Sequence, residues 1–104
     1  MTKIFKYDIT GLIQATSPGT RPIVVDMPIK AKIRKVGIQK ISGMQKICIW
    51  AEVDPKEQKR EDHFIEYFMT GQDIPTDMGG ARKYLDTLLV AEDTFVLHIY
   101  ERIN

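Results

Sequence analysis

Apolar side chains recur at every second residue over much of the chain, the period of a strand with one face in a core and one in water. At the N-terminus Phe5, Tyr7 and Ile9 share one parity while Lys6 and Asp8 take the other. A second strand is expected from Pro22 to Met27, with Ile23, Val25 and Met27 in phase, and Pro28 ends it by removing a ladder donor. The third runs from Ala31 to Ile41, where Ala31 and Ile33 set one parity and Val36 and Ile38 the other. One extra residue near Arg34 or Lys35, a β-bulge, restores the phase. Ser42-Gly43 supplies a hairpin turn into Gln45 to Val53, which is apolar on both parities from Ile47 to Ala51 and so reads as a central strand.

Between these runs the punctuation is clear. Thr16-Ser17-Pro18-Gly19-Thr20 reads as a loop. Residues 55–62 are almost all charged and read as an exposed connection, followed by an aromatic-rich strand from His63 to Thr70. Residues 71–80 hold three glycines and a proline and read as irregular, with Gly80-Ala81-Arg82-Lys83 adding a single helical turn. A C-terminal hairpin is expected from Tyr84 to Val90, a turn over Ala91-Glu92-Asp93, and Thr94 to Arg102. Seven strands with short connections imply an all-β fold, an antiparallel sandwich or small barrel with at most one short helical turn, occupying residues 1–104 as a single domain.

Composition agrees with that reading. Fourteen isoleucines, six valines and eight threonines stand against five leucines and five alanines, a weighting toward β-branched residues that suit a pleated surface. A length of 104 residues suits one domain, and 28% charged residues with a net charge of +1 announce neither disorder nor a nucleic-acid partner. No apolar run approaches the roughly 18–20 residues of a membrane span, and the opening residues lack a signal-peptide pattern, so a cytoplasmic setting is expected. The single cysteine, Cys48, excludes an internal disulfide and a thiolate cluster for zinc.

The charge that cancels overall is unevenly spread, with +5 over residues 26–46 and −3 over 52–66. Lys30, Lys32 and Arg34 share a strand parity, with Lys35 and Lys40 nearby, and such a stripe suits an acidic protein surface or phosphates; alternating lysines also keep a sheet edge soluble. No aromatic residue interleaves these cations on their own strand, which argues against single-stranded nucleic acid. Trp50 is read as a core residue and Cys48, on its parity, as another. On a strand His63 and Glu66 point to opposite faces, so they do not share a metal, and His98 reads as a hydrogen-bonded structural residue. No nucleophile–base or ligand set is apparent, and neither an enzymatic activity nor a cofactor or metal is expected. The segment 70–82 is the one place to build a ligand site locally, from Gly79 and Gly80 amides with Arg82 and Lys83, though no phosphate-loop spacing is present.

Lys3-Ile4-Phe5-Lys6-Tyr7, Met27-Pro28 with Ala31-Lys32-Ile33, Cys48-Ile49-Trp50-Ala51-Glu52-Val53-Asp54-Pro55, Thr70-Gly71-Gln72-Asp73-Ile74-Pro75 and His98-Ile99-Tyr100-Glu101 together carry a resemblance. In these segments the chain resembles a family of small bacteriophage- and prophage-encoded proteins of unknown function, differing at Gln72, where that family tends to carry histidine. The resemblance brings no catalytic residues. It implies a phage accessory protein in the host cytoplasm that binds a host protein or ribonucleoprotein, such as an immunity complex, in the manner of an anti-CRISPR or other anti-defence protein. The cations Lys30 to Lys40 would then form the contact, and sequestering a nucleotide or other small ligand at residues 71–83 is the alternative. An unpaired sheet edge also leaves room for a homodimer.

Overall fold

The computed structural model describes residues 1–75 and 81–103. The element order is β1 (Lys3–Asp8), α1 (Thr10–Gln14), β2 (Ile23–Pro28), β3 (Lys32–Ile41), β4 (Met44–Val53), β5 (Arg60–Met69), β6 (Arg82–Val90) and β7 (Phe95–Arg102). All strand pairs are antiparallel. They form a three-stranded sheet, β1-β4-β3, and a four-stranded sheet, β2-β5-β7-β6, packed as a sandwich. The all-β expectation therefore holds, with one short helix.

The bulge expected in β3 is present. Ile33 pairs with Ala51 and Lys35 with Trp50, leaving Arg34 as the extra residue. Val36 and Ile38 thereby rejoin the inner face beside Ile49 and Ile47. Ser42 and Gly43 both have positive φ, 52° and 78°, the left-handed pair that matches the twist of a two-residue hairpin. Between the sheets lie Ile23, Val25 and Met27 of β2, Ile65 and Tyr67 of β5, and Ile99 of β7, facing Ile47, Ile49, Ala51 and Val53 of β4.

Four expectations need correction. The first strand stops at Asp8, because Asp8 Oδ1 accepts hydrogen bonds from Thr10 N (3.0 Å) and Thr10 Oγ1 (2.6 Å) and turns the chain into α1. Thr10 Oγ1 in turn accepts from Ile47 N at 2.8 Å, so a side chain continues the ladder that the backbone has left. The connection after β4 is shorter than residues 55–62, since Arg60, Glu61 and Asp62 already pair with Pro28, Met27 and Asp26. Arg82 and Lys83 begin strand β6 opposite Arg102 and Glu101 and form no helical turn.

Trp50 is the fourth. Its neighbours Ile49 and Ala51 take the core parity, so Trp50 and Cys48 belong to the outer face of the first sheet. Trp50 is half-buried there, flanked in register by Lys6 of β1 and Lys35 of β3. The indole lies beside Gly37, where an added Cβ would stand in ordinary van der Waals contact at 3.5 Å. Cys48 is fully buried on the same face, and burial pushes its thiol pKa up, which disfavours the thiolate.

Candidate functional site

The cations of β3 do not form one row. Lys30 sits in the turn before the strand, in a left-handed conformation (φ 68°), and Lys40 lies on the parity of Val36 and Ile38. The turn removes Lys30 from the row, and the bulge at Arg34 shifts Lys40 to the other parity. Lys30 and Lys32 border a depression together with Glu52, Asp54 and Glu57, so carboxylates compensate them. Arg34 reaches Glu52, its Nε and Nη2 donating to Oε1 at 3.0 and 2.9 Å. The Thr2 hydroxyl and this guanidinium hold the Glu52 carboxyl below its usual range.

At the bulge Lys35 reaches across to the second sheet, while Arg34 borders the same seam with its guanidinium paired to Glu52. Strands β3 and β6 lie against each other where the two sheets meet, and β6 has a bulge of its own: Tyr84 pairs with Tyr100 and Asp86 with Ile99, leaving Leu85 extra. The two irregular stretches enclose a groove of ≈ 200 Å³ lined by Ile33, Arg34, Lys35 and Val36 on one side and Lys83, Tyr84 and Leu85 on the other. Three cations, drawn from the two separate groups suggested by the sequence, thus converge on one seam. Lys35 Nζ is 3.6 Å from Asp86, while Lys83 forms no ion pair among the described residues. Tyr84 stands at the rim, 53% exposed, edge-on to Tyr100 with ring centroids 5.5 Å apart.

Arg82 has a different role from the one the sequence suggested. Its Nε donates to Glu66 Oε1 at 2.7 Å, its Nη1 donates to the Pro75 carbonyl, and its guanidinium lies over the Phe68 ring at 5.9 Å. Arg82 is therefore committed to internal contacts. Arg102 Nη1 approaches the other oxygen of Glu66 at 3.5 Å. Gly79 and Gly80 lie outside the described residues, so of the suggested loop site only Lys83 is placed at an open surface.

The histidines fall where strand parity puts them. His63 faces inward, and its Nδ1 lies 2.6 Å from Glu101 Oε2, a contact that raises its pKa above the ordinary value while burial opposes the rise. His98 bridges Thr70 and Thr87 through its two ring nitrogens at 2.8 and 3.0 Å. Among the described residues no three histidine, cysteine or acidic side chains gather to hold a metal. No helix among them is long and apolar enough to cross a membrane.

Sequence reasoning missed the bulge at Leu85 and hence the meeting of Lys83 with Arg34. A signal was present: Leu85 and Leu88 stand three apart, the same slip of phase that revealed the bulge in β3.

The whole chain, residues 1–104, matches the family described as a domain of unknown function, DUF7352. The protein belongs to this family. No curated protein and no solved structure matches it.

Proposed function

We propose that this DUF7352 protein is a phage-encoded accessory protein that works in the host cytoplasm by binding, with the seam between β3 and β6 as its contact surface. The partner is the acidic surface of a host protein or ribonucleoprotein, an immunity complex being the class that fits an anti-defence role. The observation that carries the reading is the convergence of Arg34, Lys35 and Lys83 on one groove at two facing bulges. Bulges re-aim side chains at sheet edges, and here both re-aimed segments are cationic. Exposed ion pairs such as Lys35–Asp86 are worth at most about 1 kcal/mol, so an acidic partner can take over these cations. The phage setting rests on the resemblance carried by the Cys48-to-Pro55 segment and its companions.

The test is an affinity pulldown from nuclease-treated bacterial lysate, comparing the native chain with the Lys35→Glu, Lys83→Glu double variant. A partner retained by the native chain and lost by a variant with unchanged melting temperature supports the reading. Equal retention by the variant overturns it. The exposed Tyr84 ring, a face on which a base can stack, favours a second reading, sequestration of a nucleotide. Nucleobase absorbance in the eluate without an enriched protein would favour that reading over the first.

A further inference from the structure

We infer that the open end of the sandwich remote from His63 is a binding site for a neutral, largely apolar small molecule. A cleft of ≈ 560 Å³ enters between the sheets there, within the roughly 300–1,000 Å³ usual for small-molecule sites. Its walls include Ile13 of α1, Ile47 of β4, Met69 of β5, and Val90 and Leu97 of the last hairpin, with Phe95 at the rim. No aspartate, glutamate, lysine, arginine or histidine among the described residues lines it, although 28% of the chain is charged. An ionised ligand would leave water there without a counter-charge, which is costly. Charge therefore selects a neutral occupant.

Several polar groups of the walls, those of Tyr67, Thr16 and Gln45 Oε1, are engaged in hydrogen bonds that tie the walls together. The Tyr67 hydroxyl donates to the Ile13 and Thr16 carbonyls at 3.0 and 2.7 Å and also meets Thr16 Oγ1 at 3.1 Å, pinning α1 and the following turn to β5. Gln72 Nε2 donates to the Pro18 carbonyl at 2.7 Å and holds the far end of that segment. On the opposite wall Gln45 Oε1 accepts from Ala91 N at 2.8 Å, tying the β6–β7 turn to β4. That turn runs through three successive non-glycine residues with positive φ, Ala91, Glu92 and Asp93. Such conformations cost roughly 1–2 kcal/mol each and persist only where surrounding contacts hold them. The entrance is thus built before any ligand arrives, which lowers the ordering cost of binding.

The experiment titrates the full chain with N-phenyl-1-naphthylamine, a neutral apolar dye whose emission rises on leaving water. Saturable binding of one dye per chain is expected. Val90→Trp, which fills the cleft, should weaken it at least tenfold, while Leu89→Trp on the opposite face of the same strand leaves it unchanged. Should Val90→Trp fail to fold, Gln14→Trp, which plugs the cleft from the exposed side of α1, decides in its place. Absence of saturable binding, or equal titration of the plugging and control variants, overturns the inference.

Discussion

Arg82→Ala separates a structural arginine from a ligand-binding one. The side chains of Arg82 and Glu66 are only 10% and 9% exposed, so removing the guanidinium leaves a carboxylate largely out of water. Breaking one partner of a buried pair costs about 3–5 kcal/mol. Arg102 at 3.5 Å keeps some positive charge beside Glu66, which places the expected loss at the lower end, about 3 kcal/mol. For a domain of this size that corresponds to a fall in melting temperature of roughly 12–24 °C, at about 4–8 °C per kcal/mol. Urea unfolding measures it, and the slope of the unfolding line should stay constant, since the fold itself is kept. The companion double variant, Arg82→Met with Glu66→Leu, should recover much of the loss, because a packed apolar pair replaces a buried ionic one at little net cost. A loss below about 1 kcal/mol, or a double variant no more stable than Arg82→Ala, would refute the reasoning and return Arg82 to the list of candidate ligand groups.

The remaining expectations concern His63 and Thr10. The Glu101 carboxylate raises the folded pKa of His63, with Glu61 and Asp62 acting in the same direction, so its protonated form is favoured by folding. The resulting stability is fully present below the unfolded value of about 6.5 and is lost as pH rises through the higher folded value. Denaturation midpoints should therefore fall as pH rises across that window, and His63→Asn should flatten the fall; an unchanged slope in the variant would count against it. Thr10→Val removes the acceptor of the Ile47 N–H at 2.8 Å and should cost about 1–3 kcal/mol, whereas Thr10→Ser should cost far less. A loss in Thr10→Val no larger than that in Thr10→Ser, read by urea unfolding, would count against the bond to Ile47.

Much of the fold was legible because burial imposes period two on a strand. The parity flip between Ile33 and Val36 locates the β3 bulge, and Ser42-Gly43 locates its hairpin. Trp50 was misread because β4 is the centre of its sheet and apolar on both faces, so hydrophobicity alone did not say which face the other sheet covers. Helix α1 was not anticipated, since five residues are too few for a periodic signal and its start is set by the Asp8–Thr10 contacts. The charged residues 60–62 entered a strand because β2 offered a backbone ladder, and the Arg60–Asp26 ion pair offsets the facing of Asp62 and Asp26. What no parity argument supplies is which edge strands of the two sheets come together. Arg34 and Lys83 are 49 positions apart, and their proximity follows only from β3 and β6 both being edges on the same side of the sandwich.

That topology also keeps the two proposed sites independent. The seam lies along paired edge strands and is cationic, exposed and shallow, the properties of a surface that recognises a large acidic partner by complementarity of charge. The cleft lies at the open end between the sheets and is apolar, uncharged and fixed by hydrogen bonds within its walls. Charge reversal at Lys35 and Lys83 touches no residue of the cleft, and plugging at Val90 touches none of the seam. Each variant set thus serves as the folding control for the other. If a cleft ligand nevertheless altered partner capture, two strands offer a direct connection: β6, which contributes both Lys83 and Val90, and β4, which lines the cleft with Ile47 and pairs with β3.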